Sequence, residues 1–224
     1  MATIISKDGT TIAYEKAGQG PSVILVDGAM GHRGHFGGRA LAKELSTDFT
    51  VVTYDRRGRG ESTDTPPYAV EREIEDIDAL TEILKTPVNV YGFSSGAVLA
   101  LRAAAKLGSK FAKLAVLEPP FGDDDEPSKE AFQKDFNHLK ELLKADKKSD
   151  AVSFFLKDMV PPEILEGMKQ SPGWAAMVAV APTLAHDYAV LGDGALPTKI
   201  AAAVKIPTLV LDGSNSPEFK HIAA

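Results

Sequence analysis

The stretch formed by residues 88–108 constrains the fold of this chain most strongly. It begins with a short run rich in β-branched residues, which predicts a buried strand. It ends with an Ala- and Leu-rich run at residues 97–107, which predicts a helix closed by Gly108. Between them, residues 92–96 are Gly-Phe-Ser-Ser-Gly and match the pattern G-x-S-x-G. In a sharp turn from strand to helix, the two glycines leave room for the neighbouring backbone and the Ser94 hydroxyl stands above the sheet edge. The pentapeptide alone is weak evidence, whereas the flanking strand and helix make it specific.

The rest of the chain alternates between strand and helix patterns. Strands are predicted at residues 3–6, 11–16, 22–26, 49–54, 88–91, 114–117 and 206–211. Helices are predicted at residues 36–45, 70–84, 97–107, 128–144, 153–156, 162–168, 174–188 and 198–204. Asp8-Gly9 predicts a hairpin between the first two strands. The alternation predicts an α/β fold with a doubly wound, mostly parallel sheet.

The sequence pattern changes after residue 118, where charged segments and short apolar helical segments replace the strands. We predict one α/β core made of residues 1–121 and 198–224, with residues 122–197 as a helical cap insertion. The acidic run at residues 123–126 is predicted to be a solvated loop rather than a metal site. The insertion is rich in Ala, Met, Phe and Leu, which favours a mostly apolar roof over a pocket.

Three motifs together resemble the α/β-hydrolase superfamily, in its cap-bearing branch that contains small esterases. They are the G-x-S-x-G stretch, the run Asp-Arg-Arg-Gly-Arg-Gly-Glu-Ser at residues 55–62, and Asp27-Gly28 where the family usually has His-Gly. The resemblance covers nearly the whole chain and implies that Ser94 is a nucleophile. It also implies that the backbone N–H groups of Ala29 and Ser95 stabilise an oxyanion. The turn at residues 55–62 is predicted to be structural, with Asp55 and Arg57 holding neighbouring loops.

A serine nucleophile needs a base to take its proton and a carboxylate to orient that base. The resemblance implies that the carboxylate follows either the last long strand or the strand after the helix at residues 97–107. At the first place the expected position falls on Asn215 or Ser216, so the earlier carboxylate Glu118 is assigned as the acid, with Asp212 as the alternative. A surface or capping role is the other interpretation of Glu118, which its apolar neighbours weaken.

The base that takes the Ser94 proton is expected outside residues 1–224. The resemblance implies a histidine after a further strand, so we expect the last strand, the histidine loop and the closing helix beyond residue 224. Among the five histidines present, His32 and His35 follow the oxyanion loop and could approach Ser94. Surface or pocket roles are expected for the other three, His138, His186 and His221. A metal pair at His32 and His35 lacks a third ligand, so neither a metal nor a cofactor is expected.

The most direct interpretation is a serine hydrolase that acts on a small, moderately hydrophobic ester, lactone or related acyl substrate through an acyl-Ser94 intermediate. A cofactor-free C–C hydrolase or lyase on the same scaffold is one alternative. A non-catalytic small-molecule binding protein is another, since Asp27 replaces the usual histidine and the base is not evident. Candidate pocket-lining residues are Met30, Phe93, His32 and Trp174.

Composition excludes several other classes of function. The formal net charge of −6 argues against a nucleic-acid partner, and the absence of cysteine excludes disulfides and thiolate chemistry. The sequence has no apolar run long enough for a membrane span and no signal-peptide pattern at its start. We therefore expect a cytoplasmic protein with a small-molecule substrate and no membrane partner; the sequence leaves the oligomeric state open.

Overall fold

A single sheet organises the computed structural model, which describes residues 2–34 and 38–213. Within those residues the sheet has seven strands in the order β1-β2-β4-β3-β5-β6-β7. Their bounds are β1 Ala2–Ile5, β2 Thr11–Ala17, β3 Ser22–Val26, β4 Thr50–Tyr54, β5 Val88–Phe93, β6 Phe111–Leu117 and β7 Thr208–Leu211. β1 and β2 pair antiparallel, β2 meets β4 antiparallel, and the pairs from β4 through β7 are all parallel. The predicted doubly wound, mostly parallel sheet is confirmed.

Helices cover both faces of this sheet because successive strand residues point to opposite sides. On one face, Val23 and Leu25 of β3 pack with Leu41 and Leu45 of α1 (Arg39–Leu45). On the other face, Ile24 belongs to the main core with helices α2 (Val70–Glu82) and α3 (Ser95–Leu107). All five residues of β3 are buried, as the continuous apolar run at residues 22–26 predicts.

The hairpin between β1 and β2 forms at the predicted place. Gly9 adopts a φ of +88°, and its N–H donates to the carbonyl oxygen of Ser6 at 2.9 Å. The Asp8 carboxylate accepts the backbone N–H of Thr10 at 3.0 Å and so closes the turn. Because glycine adopts a positive φ without a steric penalty, the Asp-Gly pair favours this turn.

A run of helices separates β6 from β7. Their bounds are α4 Glu126–Lys144, α5 Lys148–Leu156, α6 Pro162–Lys169, α7 Gly173–Ala179, α8 Leu184–Leu191 and α9 Thr198–Ala203. The first five build an apolar cluster of their own around the fully buried Leu139, and Met30 from the loop after β3 packs into it. Val190 of α8 packs into the main core instead, so α8 joins the helical segment to the sheet.

Two local predictions in this segment are corrected by the structure. The acidic run at residues 123–126 is not only a loop, because Asp125 caps the start of α4 by accepting the Ser128 N–H at 2.8 Å. The predicted helix at residues 174–188 is two helices, α7 and α8, separated by a short 3-10 turn at Ala181–Thr183. Pro182 in that turn has no N–H to continue the α-helical hydrogen bonds.

The remaining differences concern element ends. α1 begins at Arg39 rather than near residue 36, and residues 35–37 lie outside the described chain. The last strand, the histidine loop and the closing helix are expected beyond residue 224 and so lie outside the described residues. In the part of the chain that is described, no single helix is long and apolar enough to cross a membrane. One bent pair, α7 with residues 181–191, reaches that length and composition only jointly and turns by 53°.

Candidate active site

Ser94 lies at a strained turn between β5 and α3. Its backbone has φ 54° and ψ −128°, a conformation that residues with a side chain rarely adopt. A Cβ on Gly92 would lie 2.6 Å from the Ala97 Cα, and one on Gly96 would lie 2.5 Å from the carbonyl oxygen of Asp27. Only glycine fits at these two places, so the steric role predicted for both glycines is confirmed.

The loop after β3 closes against this turn. The Gly31 N–H donates to the Gly28 carbonyl oxygen at 3.2 Å, and Met30 between them has a φ of +59°. A Cβ on Gly28 would lie 3.0 Å from the Cβ of Ser94, so any side chain at residue 28 would crowd the serine. Ala29, which the resemblance implies as an oxyanion donor, is half-buried at the tip of this loop. Ser95, the other implied donor, is the first residue of α3.

The ends of neighbouring strands bring the nucleophile and acid candidates to one edge of the sheet. Phe93 pairs with Leu117, and the Ser94 N–H donates to the Leu117 carbonyl oxygen at 2.9 Å. Glu118 follows directly with a φ of +48°, and its N–H donates to the Leu211 carbonyl oxygen at 3.0 Å. Asp212 follows β7, one strand further from Ser94. The assignment of Glu118 rather than Asp212 as the acid stays a prediction.

The candidate pocket residues fall into different surroundings. Phe93, directly before Ser94, is a large apolar side chain with 39% of its surface exposed. Met30 and Trp174 are buried together in the helical cluster, where the Trp174 indole N–H donates to the Ser149 hydroxyl at 3.0 Å. His32 lines a pocket of about 240 Å³ beside Arg33, and its Nδ1 accepts the Gly34 N–H at 3.1 Å.

Two other histidines lie within the described chain. His138 is on α4 and meets the Phe154 ring edge-on, with a centroid distance of 4.6 Å. His186 on α8 stacks on Tyr68 at 3.8 Å, and its Nε2 lies 3.6 Å from an Asp64 carboxylate oxygen. Burial lowers the pKa of His186, although Glu73 and Asp64 oppose that shift. His35 and His221 lie outside the described residues.

The turn at residues 55–62 is structural in the way predicted for Asp55 and Arg57. Asp55 accepts the backbone N–H groups of Arg33 at 2.8 Å and Glu61 at 2.9 Å. Arg57 donates to both carboxylate oxygens of Asp76 on α2, at 2.8 and 2.7 Å, and to Asp8 at 2.9 Å. These charge-assisted bonds tie the turn to the first hairpin and to α2.

The other two arginines of this turn form a buried cluster that sequence reasoning missed. The arginine cluster consists of Arg56, Arg59, Glu73 and Asp187, each exposed by no more than 2%. Arg56 donates to both oxygens of Glu73 at 2.7 and 2.8 Å. Arg59 donates to both oxygens of Asp187 at 2.9 and 2.7 Å. The available signal was the presence of three arginines in four consecutive positions beside a buried strand, in a chain of net negative charge.

The arginine cluster reaches the loop after β3 and the start of α3, which lie on either side of Ser94. Arg59 Nη1 donates to the carbonyl oxygen of Gly28 at 2.6 Å, and Arg56 Nη1 donates to that of Asp27 at 3.2 Å. The Ser95 hydroxyl donates to Asp187 Oδ1 at 2.7 Å. Residues from a core turn and from α8 therefore fix the backbone around the nucleophile.

The buried carboxylates near the site differ in pKa because their partners differ. Burial by itself would raise the pKa of Glu73, but the attraction of Arg56 outweighs it and lowers the pKa to about 2. The same competition, with Arg59 and Arg56 as partners, lowers the pKa of Asp187. For Asp27, burial outweighs the Gly38 N–H bond and the more distant arginines, and raises the pKa to about 6. Within the described residues, no group of three or more His, Cys, Asp or Glu side chains is arranged to hold a metal ion.

Comparison with known proteins agrees with this geometry. A family model described as the alpha/beta hydrolase family matches residues 23–224. An alpha/beta hydrolase from Sphaerobacter thermophilus superposes with a TM-score of 0.88 at 46% identity, over 99% of this chain and 86% of that one. An esterase from Thermogutta terrifontis, solved with malate bound, gives 0.71 at 25% identity, over 98% and 84% of the two chains. The uncharacterized hydrolase YraK of Bacillus subtilis is 39% identical over 97 residues, 42% of this chain, and the match spans 35% of YraK's own length.

Proposed function

Because the chain belongs to the α/β-hydrolase family, we propose that it is a serine hydrolase acting on small, moderately hydrophobic esters, lactones or related acyl compounds. The observation that carries this proposal is the strained backbone of Ser94, with φ 54° and ψ −128°, at the strand-to-helix turn. Strain of this kind persists only when the surroundings enforce it, and here two glycines and the β3 loop enforce it. A purely structural serine would not need such a turn.

In the proposed reaction, a base takes the proton of the Ser94 hydroxyl while its oxygen bonds to the substrate carbonyl carbon. Negative charge moves to the carbonyl oxygen, toward the N–H groups of Ala29 and Ser95. The C–O bond to the leaving group then breaks, and the base returns the proton to the alkoxide. Water attacks the acyl-Ser94 ester by the same steps and releases the acid. Glu118 holds the base in orientation and stabilises its positive charge.

Apolar side chains beside the serine support the proposed substrate class. Phe93 exposes its ring next to Ser94, and Met30 links the β3 loop to the helical cluster. We infer that the helical segment at residues 122–197 acts as a cap over this edge of the sheet. A cap lined by such residues favours small acyl groups without charge. The Thermogutta terrifontis neighbour is named as an esterase, which is consistent with this class.

A fluorophosphonate probe tests the proposal, because it phosphonylates only a serine whose proton is removed by a working base. The natural full-length protein is treated with the probe, and the adduct is located by peptide mass spectrometry. We expect one adduct on Ser94, none in Ser94→Ala, and normal labelling in Ser171→Ala, which changes an exposed serine on the helical segment. Absence of an adduct on Ser94 in the folded wild-type protein would overturn the proposal.

Product analysis separates the ester hydrolase from its alternatives. Wild-type protein is offered short-chain p-nitrophenyl esters and lactones on one side, and β-diketones and cyanohydrins on the other. Faster turnover of the esters supports the proposal, whereas cleavage of a C–C bond assigns the scaffold to a hydrolase or lyase of that class. Saturable binding of the esters without turnover, unchanged in Ser94→Ala, would mean a binding protein.

A further inference from the structure

Asp187 is a fully buried carboxylate that accepts four hydrogen bonds, although it lies outside the proposed set of catalytic residues. It receives bonds from Arg56 Nη1 at 2.7 Å, from Arg59 Nη2 at 2.9 and 2.7 Å, and from the Ser95 hydroxyl at 2.7 Å. It lies on α8, at the end of the helical segment. Both arginines also donate to the backbone of the loop after β3, so Asp187 connects that loop to the start of α3, on either side of Ser94.

The first connection sets the direction of the Ala29 N–H. Arg59 Nη1 donates to the Gly28 carbonyl oxygen at 2.6 Å, and that oxygen belongs to the same peptide unit as the Ala29 N–H. A trans peptide is planar, and its C=O and N–H point in opposite directions. Fixing the oxygen therefore fixes the direction of the N–H. A cation at the oxygen also polarises the peptide and makes its N–H a stronger donor.

The second connection holds residue 95, where the other donor lies. The Ser95 hydroxyl donates to Asp187 Oδ1, and Ser95 is the first residue of α3. N–H groups in the first turn of a helix have no partner within the helix, so the Ser95 N–H is available to an oxyanion. The side-chain bond locks the rotamer of Ser95 and anchors the first turn of α3 beside the arginine cluster.

We propose that Asp187 is a positioning residue for both oxyanion donors: through Arg59 it orients the Gly28–Ala29 peptide, and through its own bond to the Ser95 hydroxyl it holds the start of α3. The proposal rests on the proposed serine hydrolase function. Oxyanion donors stabilise the transition state only at hydrogen-bond distance from the developing charge, so a small displacement of either loop reduces the rate. Asp187 touches neither the substrate nor the reacting atoms.

A matched control exists in the same turn. The pair of Arg57 and Asp76 has the same two-bond geometry at 2.8 and 2.7 Å and is equally buried. Its remaining bonds go to Asp8 and to the Arg72 carbonyl oxygen, on the hairpin and α2 rather than on the loops beside Ser94. After Asp76→Asn the Arg57 guanidinium keeps Asp8 as a partner, whereas after Asp187→Asn the Arg59 guanidinium has no carboxylate partner among its hydrogen bonds. The loss of stability should therefore be larger for Asp187→Asn, and it is measured separately from activity in both variants. Only the change at Asp187 should affect the oxyanion donors.

The experiment compares Asp187→Asn with Asp76→Asn in the natural full-length protein. Urea unfolding gives stability, p-nitrophenyl butyrate gives kcat and KM, and a trifluoromethyl ketone reports binding of a tetrahedral adduct. We expect a kcat about 10- to 100-fold lower for Asp187→Asn, with KM within about 3-fold, because misplaced oxyanion donors affect the transition state more than substrate binding. The affinity for the trifluoromethyl ketone should fall by a similar factor. Asp76→Asn should keep kcat within about 2-fold of the wild-type value.

Two results would overturn the positioning role: equal losses of kcat in the two variants, or an unchanged kcat in Asp187→Asn. If Asp187→Asn does not fold, Ser95→Ala removes one connection and keeps the backbone N–H. We expect kcat to be about 3- to 10-fold lower for Ser95→Ala, which is less than the loss expected when an oxyanion donor is removed entirely. An unchanged kcat in Ser95→Ala would also overturn the proposal. If the folded wild-type protein neither hydrolyses the ester nor reacts with the fluorophosphonate, the proposed serine hydrolase function is wrong, and the positioning role that rests on it is wrong as well.

Discussion

The backbone around Ser94 is held in two ways that contrast in their physics. The elbow at residues 92–96 works by shape, because Gly92 and Gly96 let the strand, the turn and α3 approach more closely than any side chain permits. The arginine cluster works by charge, with two guanidinium groups and two carboxylates removed from water. All parts of the elbow lie within five residues, whereas the cluster joins residues 56 and 59 to residues 73 and 187.

This difference determines what each region tolerates. A steric contact is sensitive to one added methyl group and insensitive to pH. A buried charge cluster is sensitive to the loss of one charge, because an unpaired ion in the interior costs far more than an unpaired ion in water. We therefore expect the stability of the elbow to depend on side-chain volume, and the stability of the arginine cluster to depend on charge and pH.

The largest expected effect is on the steric side. In Gly96→Ala the new Cβ would overlap the carbonyl oxygens of Val26 and Asp27, which cannot move without opening the sheet edge. We expect the free energy of unfolding to fall by at least about 3 kcal/mol, at the upper end for overpacking. Urea unfolding monitored by circular dichroism, or the yield of folded protein, measures this loss.

Gly167→Ala is the matched control, because Gly167 is in α6 and a Cβ there would meet no atom within 4 Å. The same substitution should raise stability by about 0.5 kcal/mol through better helix propensity. A Gly96→Ala variant that unfolds at the same urea concentration as Gly167→Ala would show that the elbow does not depend on close approach.

The second largest effect on stability is expected from the loss of one charge in the arginine cluster. The folded-state pKa of Glu73 is about 2, against an ordinary value of 4.5, so its ionised form stabilises the fold. Since the folded pKa is the lower one, this contribution is present above pH 4.5 and is lost as the pH falls toward 2. Glu73→Gln should therefore lower the free energy of unfolding by about 3 kcal/mol at pH 7.

Glu71→Gln, on the same helix but exposed, serves as the control and should change stability by no more than about 0.5 kcal/mol. Unfolding at pH 7 and at pH 4 measures both variants. The penalty for Glu73→Gln should shrink at the lower pH, and a penalty that stays constant would contradict an electrostatic origin.

The same contrast explains how much the sequence could predict. The order of strands and helices and the position of Ser94 depend on local patterns, so hydrophobic periodicity and the spacing of two glycines were sufficient. The bonds made by Asp55 and Arg57 were predicted in kind but without their partners. Asp187 could not be found in this way, because it is 128 residues from Arg59 and only the packing of α8 brings them together. It is flanked by His186 and Tyr188 in an otherwise apolar helix, and this stretch matches none of the motifs found in the sequence.

Asp27 contacts both regions and gives the smallest expected effect. Its carbonyl oxygen borders Gly96 and accepts a bond from Arg56, while its carboxylate accepts the Gly38 N–H at 2.8 Å. Burial raises its pKa to about 6, so the ionised form destabilises the fold and stability is lost as the pH rises from 3.8 through 6.

The substitution Asp27→Asn keeps the hydrogen-bond acceptor and removes the charge. We expect it to stabilise the protein by about 1 to 2 kcal/mol at pH 7.5. This gain is smaller than the full pKa difference implies, because the amide group adds N–H donors that need partners. The gain should nearly vanish at pH 4, where wild-type Asp27 is protonated, which is opposite in sign to the effect of Glu73→Gln. Urea unfolding of wild type and variant at the two pH values measures this difference, and an equal difference at both would mean that folding does not raise the pKa of Asp27.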